Sequence, residues 1–319
     1  MAVLVTGGAG FVGSHLVEQL LAATDQKLVV LDNFNDYYDP HLKRAIAAAW
    51  ADQPRITIEE GDYCDADTAD RVLLDYAIRA ICHFGASPGV PTSLLQPRQY
   101  AENNVVGTTT LLEAARRHPV ERFLFASSST VYGRGAAAPF VEDAPLGIPA
   151  SPYGASKRAA EIMGLTYHQL FGVPFVSLRL FNVYGPRLRP ELALAVFTRA
   201  ILEGTPLPLF GDGSVLRDFT HVSDICRGVV AALTASNIAG QCINLGHNRP
   251  IRISRLIELI EAAAERKANI EHHQPRVEDM PFTHADLTKA HRVLGYEPRI
   301  EIERGVREYV EWFRQTQLH

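Results

Sequence analysis

Tyr153-Gly154-Ala155-Ser156-Lys157 sets a phenol and an ammonium at a Y-x-x-x-K spacing. On a helix that spacing puts both side chains on one face, one turn apart. A phenol with a pKa of about 10 keeps its proton at neutral pH, but a neighbouring cation favours the phenolate. Tyr153 is therefore a candidate general base, with Lys157 as the cation that acidifies it. Ser128, in the run Ala126-Ser127-Ser128-Ser129-Thr130, adds a hydroxyl able to hydrogen-bond a reacting oxygen. Alone, this spacing is equally what an exposed helix with a solvated lysine would give. A second motif decides the matter.

That motif is Thr6-Gly7-Gly8-Ala9-Gly10-Phe11-Val12-Gly13, which follows a strand-like run and opens a helical one. Gly7, Gly10 and Gly13 allow a tight turn, and the helix N-terminus beyond them, at Phe11 and Val12, can receive a pyrophosphate. Asp32 ends the next apolar run, Leu28 to Leu31, where a carboxylate can accept hydrogen bonds from adenosine ribose hydroxyls and would repel a 2′-phosphate. NAD is the expected cofactor. Asp62, in Gly61-Asp62-Tyr63, is placed at the end of the third strand, beside the adenine. Lys157 is expected to hold the nicotinamide ribose as well.

These groups need a scaffold that gathers them at one edge. Short apolar runs at Val3 to Thr6, Leu28 to Leu31, Ile56 to Glu59, Ala80 to Phe84, Arg122 to Ser127 and Phe175 to Leu180 alternate with helical patterns. This predicts an α/β fold, a Rossmann-type doubly wound parallel sheet, with a smaller C-terminal substrate-binding domain. Residues 1–180 are read as the NAD-binding domain, with 218–246 returning to it. Residues 181–217 and 247–319, rich in Pro- and Gly-containing connections, are read as the substrate domain. Apolar and small residues from Tyr153 to Phe171 recur at helical spacing.

The rest of the chain excludes other classes. It has 319 residues, 47% of them hydrophobic, and a net charge of −5, with no basic run that would suit nucleic acid or an anionic membrane. Cys64, Cys82, Cys226 and Cys242 lie far apart and form no C-x-x-C pair, which fits a reducing cytoplasm. No apolar stretch is long enough to span a bilayer. Gly85-Ala86-Ser87-Pro88-Gly89 matches the G-x-S-x-G of hydrolases, but Pro88 lacks the N–H that an oxyanion hole requires there. Twelve histidines form no metal-ligand spacing, so no metal is expected. A non-catalytic NAD sensor would tend to lose Tyr153 or Lys157, and both are present.

The segments TGGAGFVGS, HFGAS, SSSTVYG, YGASK, LRLFNVYGP and RDFTHVSDI, with Asn103 before a helix, resemble the extended short-chain dehydrogenase/reductase family along essentially the whole chain. Its sugar-nucleotide epimerase branch fits best. By this resemblance Asn33, Tyr63, Phe84, Gly85, Ala86, Ser87, Asn103 and Ser127 line the cofactor site and Phe181 flanks the nicotinamide. Asn182, Arg189, Arg217, Arg276 and Asp279 approach a UDP-sugar substrate, with Ser127, Ser128, Ser129 and Thr130 near its sugar.

Leu31 to Pro40 and Arg189 to Ala193 are similar to UDP-glucuronate 4-epimerases. Asn182 stands where those enzymes usually carry Thr, and Pro91 where they usually carry Arg. Epimerisation of a neutral UDP-hexose therefore stays open. Ser129 and Thr130 supply neither the Asp-Glu pair of related dehydratases nor the Glu of related decarboxylases. The implied reaction is inversion at C4 through a 4-keto sugar. Small faces on the helices from Asn103 to Arg117 and Tyr153 to Phe171 imply a homodimer.

Overall fold

The computed structural model describes residues 2–276 and 278–317. Ala2–Thr6 (β1), Lys27–Asp32 (β2), Ile56–Glu60 (β3), Ile78–His83 (β4), Arg122–Ser128 (β5) and Phe175–Leu180 (β6) join a later strand, Cys242–Leu245, in one seven-stranded parallel sheet. From one edge the order is Cys242–Leu245, β6, β5, β4, β1, β2, β3. The expected α/β doubly wound architecture is what forms. β1 is buried throughout, as continuous apolar strands covered on both faces must be.

Strand order reverses direction at β1 and β4, which pair with Thr6 opposite His83. A crevice therefore opens outside the carboxyl ends of these strands, and Gly7, Asp32, Phe84 and Ser128 all sit at that edge. On one face pack the helices Phe11–Ala23 and Val222–Thr234, on the other Ala66–Asp75, Gly107–Arg117 and Pro152–Phe171. Beyond the sheet, Ala193–Glu203, Ile253–Ala264 and Ile302–Gln317 continue the first of these cores. Among the described residues, three two-stranded ladders lie beside the sheet, one of them Pro206–Phe210 with Asn269–His273.

Helix Pro152–Phe171 shows how locally the presentation of a key residue is set. Ser151 caps it by accepting from the Gly154 N–H at 3.2 Å, Pro152 occupies its first turn, and Gly172 ends it in the left-handed conformation. A Cβ at Gly164 would lie 2.1 Å from the Phe175 ring, so glycine lets the helix press onto β6.

Two boundaries differ from expectation. β3 ends at Glu60, leaving Asp62 in the following turn. Asn103 lies not before a helix but inside one turn of π-helix, Ala101–Val106, that runs on into Gly107–Arg117. Among the described residues no helix is long and apolar enough to cross a membrane.

Candidate active site

The crevice is a cavity of about 440 Å³. Its floor is the glycine loop. Gly7 has φ +63°, and a Cβ on Gly13 would lie 2.2 Å from the Gly7 oxygen, so the loop can fold only without side chains there. No side chain caps the helix Phe11–Ala23, whose N-terminus opens on the cavity at Gly10, Phe11, Val12 and Gly13. That bare, positively polarised helix end is a seat for an anion.

Asp32 closes this end. Its carboxylate accepts from the Ala9 N–H at 3.1 Å and the Phe34 N–H at 3.0 Å. Burial raises its pKa, against the opposing field of Lys43 and those two hydrogen bonds. Asn33 donates to Asp62 at 3.2 Å, and both line the wall beside Tyr63. Phe84, Gly85, Ala86 and Asn103 also line it.

Ser128, Tyr153 and Lys157 converge in the middle of the cavity. Burial raises the pKa of Tyr153, opposed by a hydrogen bond with Ser128 and by the field of Arg189. Lys157 is 4% exposed and donates to the Ala126 oxygen at 2.8 Å. Desolvation, helped by Arg189, lowers its pKa to about 7. The cation whose field opposes the rise at Tyr153 is Arg189. Burial leaves Lys157 only partly protonated at neutral pH, and its Nζ donates to a main-chain oxygen.

Ser129, Thr130, Asn182, Arg189 and Arg217 complete the far wall. Thr130 donates to the Ser128 hydroxyl at 3.0 Å, leaving Ser128 its own proton to place. Arg189 pairs with Glu191 at 3.1 Å and lies over the Tyr37 ring, 5.8 Å from its centre. Asn182 accepts from Thr283 through Oδ1 at 2.8 Å, which turns its amide protons elsewhere.

Several of the expected site residues are engaged elsewhere in the fold. Phe181 is fully buried between Tyr132 and Phe140 and is absent from the wall, because the chain turns its side chain under the sheet edge. Ser87 faces away, its hydroxyl accepting from Asn103 at 2.7 Å. Ser127 touches the cavity, but its hydroxyl donates to buried Glu161 at 3.0 Å and so has no proton to give a ligand. Arg276 stacks on Phe210, 3.7 Å from the ring centre, and Asp279 lies 3.6 Å from Arg217; neither is in the wall.

Other wall residues are not among those expected from the sequence. Asn35, Tyr37, Tyr38 and Lys43 overhang the Asp32 end, with the Lys43 ammonium bound to the Asn35 oxygen and Oδ1 at 3.0 and 2.8 Å. The aromatic pair Tyr37-Tyr38 in an otherwise polar stretch was the available signal. Nothing in sequence marked Lys43.

Comparison with known proteins then bears on this geometry. Residues 4–309 match the family model described as GDP-mannose 4,6 dehydratase. The chain is 37% identical over 314 residues to a UDP-glucuronate 4-epimerase of Thermodesulfobacterium geofontis (strain OPF15), covering 98% of this chain and 96% of that one. It superposes with a TM-score of 0.94, at 35% identity and 99% coverage of both chains, on a Bacillus cereus UDP-glucuronic acid 4-epimerase solved with UDP-glucuronic acid and NAD. A Streptomyces venezuelae dTDP-glucose 4,6-dehydratase solved with NAD gives a TM-score of 0.93 at 32% identity, over 99% of this chain and 98% of that one.

Proposed function

Because this chain belongs to the GDP-mannose 4,6-dehydratase family, of the extended short-chain dehydrogenase/reductase type, we propose that it is an NAD-dependent UDP-sugar 4-epimerase acting on UDP-glucuronate. The observation that carries the reading is the meeting of Ser128, Tyr153 and Arg189 in one cavity whose other end is a side-chain-free anion seat closed by Asp32. Relatives of the same fold carry NAD and a uronic acid nucleotide.

The residues fit the cofactor. The helix end at Phe11–Gly13 takes its pyrophosphate, Asp32 its adenosine ribose, and Tyr153 and Lys157 flank its nicotinamide end. When bound, NAD accepts a hydride from sugar C4 and later returns it. Tyr153 takes the proton of the 4-hydroxyl as C4 becomes a ketone, and gives that proton back when the opposite face is reduced. Ser128, whose oxygen already accepts from the Thr130 N–H and hydroxyl, has one proton to donate, to the phenolate or to the reacting oxygen. Arg189 lowers the cost of the phenolate and offers the cation that a C6 carboxylate requires. Arg217, in the cavity wall and beside Asp279, is assigned to the diphosphate.

Asn182, whose Oδ1 is occupied by Thr283, keeps uncharged amide donors in the wall that suit a hydroxyl, and this supports a second reading in which UDP-glucose is also accepted. Incubation with each nucleotide sugar, followed by chromatography of the products, tests both. Formation of UDP-galacturonate is expected, and conversion of UDP-glucose alone would overturn the uronic acid assignment.

Exposed Val106, Ile162, Leu170 and Phe171 on neighbouring helices support a homodimer through that face. Sedimentation of the purified chain tests it. The four free cysteines suit the cytoplasm.

A further inference from the structure

We propose that His83 is a positioning residue: held as the neutral tautomer with its proton on Nε2, it fixes the direction of a buried hydrogen-bond run from the phosphate loop to the main chain of Asn104, the residue whose side chain holds the first turn of the Tyr153 helix. The inference rests on the site reading above, since it concerns how that site is held together.

The chain of donors can be followed proton by proton. Thr108 Oγ1 donates to the Asn104 carbonyl oxygen at 2.6 Å, and a hydroxyl has one proton to give. Toward His83 Nε2, 3.0 Å away, it can therefore only accept, so Nε2 carries a proton. At the other ring nitrogen, Nδ1 lies 2.7 Å from Thr6 Oγ1, which already accepts from the Gly85 N–H at 3.1 Å. Thr6 must then donate to a bare Nδ1. Protonation of both nitrogens would leave the Thr6 hydroxyl proton with no acceptor among its contacts.

The same accounting continues through Asn104. Its Oδ1 accepts from the Ser87 N–H at 2.7 Å, while Nδ2 donates to the Ser87 oxygen at 3.0 Å and to Ser156 Oγ at 2.9 Å. Ser156 passes its proton to the Tyr153 carbonyl oxygen at 2.8 Å. Thr6 precedes Gly7, Gly85 forms part of the opposite wall, and Tyr153 is the candidate base, so three sides of the cavity are tied together at Asn104, where the His83 run ends on the main-chain oxygen and a second run starts from the side-chain amide.

Its members are sealed from water. Thr6, His83 and Thr108 are 0% exposed and Asn104 1%. The π-helical turn makes this possible: it lets the adjacent Asn103 and Asn104 both reach Ser87, which successive residues of an α-helix would not do. Around the ring stand Tyr63 at 4.9 Å, Phe123 and Phe125. The titratable group facing it besides Tyr63 is Lys157. Burial, then the field of Lys157, brings the pKa of His83 down to about 3. No group in the chain exchanges a proton with substrate; its role is to hold Tyr153 and the wall loop in register.

The test joins a spectroscopic readout to kinetics on the full chain. In protein labelled with ¹⁵N-histidine, the resonances lost in a His83→Gln variant should report Nε2–H and an unprotonated Nδ1, unchanged from pH 8 to pH 5. A Nδ1–H tautomer, or titration near pH 6, overturns the proposal. Thr108→Val should lower kcat about tenfold or more with KM for the sugar nucleotide changed by less than about twofold, and Thr108→Ser should restore it. Wild-type kcat in Thr108→Val overturns the proposal too. If Thr108→Val does not fold, the wild-type spectrum decides. Were the wild type to lack epimerase activity, the functional reading would fail while the tautomer remained measurable.

Discussion

Glu161 and Arg179 form a two-pronged ion pair, Nη2 to Oε1 at 2.6 Å and Nε to Oε2 at 3.2 Å, with both side chains 3% exposed. Glu161 is one turn beyond Lys157 and two beyond Tyr153 on the same helix, so this pair sets the rotation of the face that enters the cavity. Ser127 and Ser177 donate to the same carboxylate at 3.0 and 2.6 Å.

Removing one partner leaves a buried cation without its counter-charge. Glu161→Ala is expected to lose about 3–5 kcal/mol of stability, and Glu161→Leu combined with Arg179→Met to recover much of it. Urea denaturation of the three proteins checks this; equal stability of Glu161→Ala and wild type would refute it. Burial pushes the Glu161 pKa up, but Arg179 and the serines outweigh it and hold the pKa low. The stabilisation from this group is thus present above the ordinary carboxylate range and is lost as the pH falls through the lowered value.

Lys157 gives the opposite signature. Its pKa in the fold is about 7, against 10.5 as a free side chain, so between these values the unfolded chain binds a proton that the folded one does not. Stability of the cofactor-free protein should therefore rise with pH across that window, by up to about 1.4 kcal/mol per pH unit. A Lys157→Met variant should lack the rise. Parallel melting curves from pH 7 to pH 9 for the two proteins would rule the effect out.

Replacing Tyr153 by Phe removes only the hydroxyl. A loss of about 10²–10⁴ in kcat is expected, with NAD still released on denaturation. Full epimerase activity in this variant would reject Tyr153 as the base.

Arg189→Leu should cost about 10–100-fold in kcat/KM for UDP-glucuronate, the scale of a charge-assisted hydrogen bond, and less for UDP-glucose. It should also move the Tyr153 pKa further up and that of Lys157 back up, because the Arg189 field lowers both. Equal losses on the two substrates would show that Arg189 does not read the carboxylate.

In Gly13→Ala a methyl group meets the Gly7 oxygen at 2.2 Å. The loop must open, and titration with NAD should show affinity lowered by about 100-fold or more, since a 1 Å displacement of a positioned group is costly. Unchanged affinity would remove the glycine loop from the binding site.

The sequence by itself determined the sheet and the glycine loop. Both are written in local terms: apolar runs of strand length, glycines where a Cβ cannot fit, and a tyrosine and lysine one helical turn apart. It also marked Ser128 and Asp32 through their places at strand ends. Tertiary structure alone decided the charges and the second layer. Whether a cation reaches Tyr153 depends on which side chains share its cavity, and Arg189 arrives there from a loop 36 residues away in sequence. Phe181, Ser87 and Ser127 had the right positions in the chain, but their side chains satisfy buried partners. Hydrogen bonds and desolvation depend on distance in space, and spacing along a chain fixes that only within a single helix or strand.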